Sequence, residues 1–352
     1  MKSLILSILN RLGYDVIKAE IQPNRNYKTD SPLDRKIIDI IFDFYGTIKP
    51  FYDDTIPEPL KIAGMWKGIL EKGRKTQIKL IQEKDKEKYH TLQEKMFYNE
   101  LIDGLWNYNF YKAKSNCSAK FLSECKMFEM ITGKEVKDLV TNKSWECWGL
   151  KTTQGMVKYI DPSHGITAFH ILTLADTLKK SPIILDLGSG YGGLAEKIMI
   201  WSTETASIFL IDIPLNLTTA YAYLARIFGM DNVTLVSSKE QLEKIKAEAG
   251  KFVLVPTSLV SYLDVQFDII NNTHSFSEMD LATVRYYLET LVRPKVSYLV
   301  ETNVNIPKHV FVGHLELMSR NFPIPKTHRL LTKFPDGIQS RYVTSIYKQL
   351  NL

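Results

Sequence analysis

Ile183-Ile-Leu-Asp-Leu-Gly-Ser-Gly-Tyr-Gly-Gly-Leu194 decides the fold. Apolar residues around Asp186 form a short buried strand. The glycines that follow let the chain turn sharply and leave backbone that a ligand can approach without meeting a Cβ. A helix begins at Gly192, so its free N–H groups point back at the turn and favour a carboxylate or phosphate there. A strand, a glycine turn and a helix in this order are the first unit of an α/β domain.

The next strand, Ile208–Ile213, carries Asp212 near its end. A carboxylate at that place accepts both ribose hydroxyl hydrogens of a nucleoside. The spacing Gly188, Gly190, Gly193 also satisfies the dinucleotide pattern G-x-G-x-x-G, which alone is a weak signal. Asp186 tilts the choice. It sits two residues before the first glycine, where it would repel a pyrophosphate but could order the loop or receive the ammonium of an amino-acid-bearing cofactor. The chain after Gly193 also lacks a clear second nucleotide-binding half.

Downstream, short β-branched runs alternate with helical stretches. Strands are expected at Val233–Val236, Phe252–Val255, Phe267–Asn271 and Val296–Glu301. Helices are expected at Leu217–Phe228, Lys239–Ala249 and Met279–Val292. This alternation predicts a parallel sheet with helices on both faces. Thr327–Lys333 and Arg341–Tyr347 flank Asp336-Gly337, a hairpin signal that closes the sheet with an antiparallel pair.

Upstream, residues 1–148 read as a mainly helical region and residues 149–352 as the cofactor-binding domain. Leu60–Tyr111 has apolar residues at three-to-four spacing, and Glu83–Lys88 is a solvated helix face. Leu4, Ile5, Ile8, Leu9 and Leu12 share one helical face, which docks on the protein or, through residues 1–18, weakly on a membrane surface. No segment reaches the ~18 apolar residues that span a bilayer.

The chain has 352 residues, a net charge of +6 and 45% hydrophobic residues, enough for a sizeable core. The mild positive charge suits an anionic or nucleotide-linked partner, and the lack of a Lys/Arg block argues against nucleic acid. Cys117, Cys125 and Cys147 form no C-x-x-C pair, which argues against a disulfide framework or structural zinc and places the chain in the cytoplasm.

Asp186-Leu-Gly-Ser-Gly-Tyr-Gly-Gly193 with Asp212-Ile-Pro-Leu-Asn216 resembles the first two motifs of class I S-adenosylmethionine-dependent methyltransferases. With Asn271-Asn-Thr-His-Ser-Phe-Ser-Glu-Met279, the longer string resembles the bacterial sugar O-methyltransferases within them. The resemblance covers roughly residues 150–350. It implies a Rossmann-like sheet of seven strands whose last pair is antiparallel. The implied cofactor is S-adenosyl-L-methionine, held by Asp186, Gly188, Ser189, Gly190, Tyr191, Asp212, Ile213 and Asn271. The adenine would lie by the third sheet strand. Phe252–Val255 with Thr257 and Ser258 is preferred for it, and Val233–Val236 with Ser237 and Ser238 is the alternative.

The implied acceptor is a hydroxyl of a sugar, nucleotide-linked sugar or glycan. A hydroxyl needs a positioned base, and His274, just past a strand end, is the first candidate. Glu278 is the second. Ser275-Phe-Ser-Glu278 is also a capping box, which gives Glu278 a structural reading. Glu301, which ends another strand, is the third. Asp161 is expected to cap the helix of Asp161-Pro-Ser-His164. The aromatic clusters Trp106–Tyr111 and Trp145–Trp148 are candidate sugar platforms or simple core. Some sugar methyltransferases use a divalent ion, but Glu278 and Asp280 alone do not define a metal site. An NAD(P)-dependent oxidoreductase and a non-catalytic module of glycan assembly remain as alternatives.

Overall fold

The computed structural model describes residues 33–49, 58–61, 64–98, 101, 117–140, 149–152, 154–178, 180–203, 205–292, 296–306, 309–310, 314–338 and 340–350. The expected surface helix within 1–18 and the aromatic clusters at 106–111 and 145–148 lie outside these residues.

The first helices among the described residues are α1 (Arg35–Thr47), α2 (Gly64–Gly73), α3 (Lys75–Gln82), α4 (Lys86–Glu94) and α5 (Cys117–Thr132). A small antiparallel pair follows, β1 (Gly149–Lys151) and β2 (Met156–Lys158), then α6 (Asp161–Asp176). Next come β3 (Ile183–Leu187), α7 (Gly193–Trp201), β4 (Ser207–Asp212), α8 (Pro214–Phe228), β5 (Val233–Leu235) and α9 (Lys239–Leu242). The chain continues through β6 (Phe252–Pro256), β7 (Ile269–Thr273), α10 (Leu281–Tyr287) and β8 (Tyr298–Val304). The two-residue strands β9 (His309–Val310) and β10 (His314–Leu315) precede β11 (His328–Pro335) and β12 (Tyr342–Gln349).

The main sheet runs β11-β12-β8-β7-β3-β4-β6-β5. Every pair from β8 to β5 is parallel, and β12 is antiparallel to both neighbours. The α/β class and the closing hairpin at Asp336-Gly337 are as expected. The strand number is not: the sheet has eight strands, not seven. Both segments that competed for the third position belong to it. Phe252–Pro256 lies beside β4, and Val233–Leu235 pairs outside it as an edge strand. Val233 and Leu235 are buried there, which holds so short a strand in place.

Two helix expectations are corrected. The helix after Ser238 ends at Leu242, because residues 243–249 offer no apolar stripe: only Ile245 and Ala247 pack against the core. The helix expected from Met279 begins at Leu281 and passes into a π-helical turn, Leu288–Val292.

Ile37, Ile38, Ile41 and Phe44 form the apolar face of α1, and with Leu33 just before it they share one core with Ala220, Tyr223 and Leu224 on α8. Each such Leu, Ile or Phe contributes roughly 1.5–3 kcal/mol when fully buried. The hydroxyls of Tyr45 and Thr218 meet at 2.7 Å across this contact. Helix α1 therefore packs on α8, the helix that follows β4 and Asp212.

Asp161 does not cap α6. Ile160 occupies the N-cap position, and Asp161 is buried in the first turn with Pro162. Its carboxylate instead accepts the Lys158 backbone N–H at 2.7 Å and pairs with the Lys158 Nζ at 3.2 Å. Lys197 and Glu196 from α7 complete a buried quartet, with Lys197 Nζ 3.5 Å from Asp161 and 3.3 Å from Glu196. Two cations face two carboxylates, so the buried charges balance, as burial of ions requires.

Candidate active site

The site lies where β3, β4 and β7 deliver their carboxyl ends, the place where open parallel sheets take ligands. Gly188 leaves β3 with φ +76°, and its N–H donates to the Ile211 carbonyl at 2.8 Å, fastening the turn to β4. A Cβ at Gly188 would stand 2.1 Å from the Ser275 Oγ, so this glycine is required by packing as well as by backbone conformation. Gly190 is different. Its φ is +57°, and a Cβ there would meet nothing within 4 Å. The backbone of Gly190 therefore faces open space, the surface a ligand needs.

Asp212 ends β4 beside this open turn. Its Oδ2 accepts the Gly190 N–H at 2.7 Å. Its Oδ1 accepts the Ile213 N–H at 2.7 Å and the Asn216 side-chain amide at 3.0 Å. A carboxylate has about four acceptor positions, so one remains at Oδ2 for a ligand hydroxyl. Burial pushes the Asp212 pKa up to about 6 against these hydrogen bonds. Ile213 thus serves through its N–H by orienting Asp212. Thr257 follows β6, and the register sets Pro256 opposite Asp212, so Thr257 borders the same edge. The hydroxyls of Ser189 and Ser258 have no hydrogen-bond partner.

Asp186 and Asn271 stand opposite each other in the β3–β7 register, and the Asn271 amide donates to Asp186 at 2.8 Å. Both are buried. Burial raises the Asp186 pKa to about 7, with the Asp212 charge adding to it. The Asn271 amide is thus engaged with Asp186. Tyr191 turns back into an aromatic cluster, edge-on to Tyr223 at 5.0 Å and to Phe97 at 5.4 Å.

His274 follows β7 and has φ +69°, a left-handed conformation rare for a non-glycine residue and kept where the surroundings enforce it. Its N–H donates to the Thr302 carbonyl at 2.8 Å, and its ring lies 4.3 Å from that of Tyr342. The Nε2 is buried and has no hydrogen-bond partner. Desolvation and then the Arg341 charge lower the His274 pKa to about 4, so the imidazole is neutral at pH 7.

The capping box does not form. The Ser275 Oγ donates to the Leu187 carbonyl and accepts from the Asn272 amide at 2.5 Å, because β3 ends against this loop. Glu278 accepts instead from the Trp66 indole N–H at 2.9 Å, a residue of α2. Glu301 is fully buried on β8. It accepts from Ser319 at 2.6 Å and Asn303 at 3.1 Å, and burial raises its pKa to about 7. Asn303 also donates to Asn272 at 3.0 Å. Glu301 thus stands one layer behind the His274 loop and braces it.

Sequence reasoning passed over Trp66, Arg74 and Asn216. Asn216 lies four residues after Asp212 in a quoted motif, and that spacing at a helix start was its signal. Trp66 and Arg74 had none. Among the described residues no group of three or more His, Cys, Asp or Glu could hold a metal ion, and no helix is long and apolar enough to cross a membrane.

No family model matches the chain. No curated protein matches it. Solved structures similar to it include the mitomycin 7-O-methyltransferase MmcR, at 12% identity and a TM-score of 0.36, over 68% of this chain and 70% of that one. Another is the magnesium protoporphyrin IX methyltransferase of Synechocystis with bound SAH, at 12% identity and a TM-score of 0.37, over 56% and 89% of the two chains. A third is the 1,6-didemethyltoxoflavin-N1-methyltransferase of Burkholderia thailandensis with bound S-adenosylhomocysteine, at 17% identity and a TM-score of 0.34, over 51% and 76%.

Proposed function

We propose that the protein is an S-adenosylmethionine-dependent O-methyltransferase whose acceptor is a hydroxyl of a sugar, sugar nucleotide or glycan. The observation that carries this reading is the neutral His274 imidazole, its Nε2 unpartnered, at the strand end next to a glycine turn whose Gly190 backbone is open. The cofactor supplies the methyl group. In this reading the turn and Asp212 hold its nucleoside, and Asp186 lends negative charge beneath its amino-acid end. His274 would accept at Nε2 the proton of the attacking hydroxyl, which must first reach that buried nitrogen, as the hydroxyl oxygen takes the methyl group from the sulfur.

The neighbourhood of His274 offers groups that suit a polyhydroxyl acceptor. Tyr342 and Trp66 offer aromatic faces. Glu278, Glu316 and Arg341 offer both donors and acceptors, with Arg341 paired to Glu316. Residues 149–352 bind the cofactor in this reading, and the helices before them shape the acceptor side.

Two measurements test it. Calorimetry with S-adenosylhomocysteine should show binding where NAD shows none; the reverse preference points to an oxidoreductase. Replacing His274 with alanine should lower kcat by about a hundredfold, a usual size for a lost general base, and leave S-adenosylhomocysteine affinity within about twofold. Unchanged turnover would move the base to Glu278.

A further inference from the structure

Arg74 lies between α2 and α3, at the N-cap of α3, and only 1% of it is exposed. Its guanidinium donates to the Asn216 carbonyl oxygen at 3.0 Å. The amide of the same Asn216 donates to Asp212 Oδ1 at 3.0 Å. Both ends of one side-chain amide are thus committed, one to a buried cation and the other to the carboxylate at the edge of the glycine turn. Arg74 also donates to Gln77 at 3.3 Å, and Gln77 in turn donates to the Leu215 carbonyl at 3.4 Å. The relay is therefore anchored at both the side chain and the backbone of the first turn of α8.

We infer that Arg74 is a positioning residue for cofactor binding, acting on the Asp212 carboxylate through Asn216. The inference rests on the reading that Asp212 receives the ribose. It adds that the ribose site is built partly from the upstream helices and not from the sheet layer alone. An arginine stays charged at every relevant pH and so supplies a fixed field. The polarised Asn216 amide is a stronger donor for it, and it fixes which face of Asp212 remains for the ligand.

Several groups among the described residues face Asp212. Arg74 approaches from the N-cap of α3, Asp186 from β3 and Tyr287 from α10, along with the N–H groups of Gly190 and Ile213 and the Asn216 amide. Arg74 is the cation among these. Removing it lets the Asp212 proton bind more tightly, and the carboxylate then protonates at a higher pH.

The test is S-adenosylhomocysteine binding by the full chain from pH 5.5 to 8.5. Wild-type affinity should fall below about pH 6, where Asp212 takes up its proton. In Arg74→Met the fall should begin about one pH unit higher, which is about threefold weaker binding at pH 6.5 and close to tenfold at pH 5.5. The gap should vanish by pH 8.5. Arg74→Lys keeps the cation and should follow the wild-type profile. Asn216→Leu cuts the relay while leaving the guanidinium, and decides the question if Arg74→Met does not fold. It should move the profile in the same direction. Loss by one constant factor across the pH range, or wild-type binding in both variants, overturns the relay alone. A wild-type chain that binds no S-adenosylhomocysteine at any pH overturns the cofactor reading and the relay with it.

Discussion

Gly188→Ala is expected to abolish cofactor binding and to destabilise the fold by about 3 kcal/mol, the combined scale of left-handed strain and overpacking. The new methyl would fall 2.1 Å from the Ser275 Oγ and 2.4 Å from the Ser275 Cβ. The hydroxyl could rotate aside, but the Cβ is fixed by the backbone. Moving that backbone would pull Ser275 away from the Leu187 carbonyl and the Asn272 amide, and with it the neighbouring His274. The φ of +76° adds strain that no rearrangement of neighbours removes. Chemical denaturation and calorimetry with S-adenosylhomocysteine check both halves. A variant within 1 kcal/mol of wild type that still binds would show that the turn is more pliant than its packing implies.

Asp212→Asn is the second large effect, and it falls on affinity. The folded-state pKa of about 6 lies above the usual carboxylate value. The group's contribution to stability is therefore full below the unfolded pKa near 4 and lost as pH rises through about 6. At pH 7 the ionised carboxylate is thus held at a cost, and a neutral amide relieves it. The amide keeps one acceptor oxygen but cannot serve the Gly190 N–H, the Ile213 N–H, Asn216 and a ribose hydroxyl together. At pH 7 Asp212→Asn trades the cost of the buried charge for at least one buried N–H left without an acceptor, and it should bind S-adenosylhomocysteine about thirtyfold more weakly, the scale of one lost charge-assisted hydrogen bond. Its affinity should also lose the fall below pH 6. Wild-type affinity in this variant, measured by titration calorimetry, would remove Asp212 from the ribose site.

What could be read from the sequence and what could not divides along one physical line. The turn, Asp212 at its strand end and the closing hairpin are local: residues within a few positions of each other set backbone and burial. The eighth strand was legible too, since Val233–Leu235 has the β-branched pattern, and only the resemblance to a seven-stranded family hid it. The Asp186–Asn271 pair was not legible, because it depends on the register of two strands 85 residues apart. The same holds for Ser275, whose spacing to Glu278 suggests a cap until the end of β3 claims its hydroxyl. Trp66 reaches Glu278 across 212 positions and Arg74 reaches Asn216 across 142. No periodicity encodes such contacts; they come from docking of preformed helices.

The balanced quartet of Lys158, Asp161, Glu196 and Lys197 carries a consequence for how this protein can change over time. Losing any one of the four takes a compensating charge out of the interior, a penalty of up to about 3–5 kcal/mol and a large share of the stability margin of many domains. Drift at these sites must therefore go through compensated swaps, a lysine and a carboxylate leaving together. Relatives of the chain should carry either the complete set or an apolar substitute for all of it, and intermediates with three members should be rare.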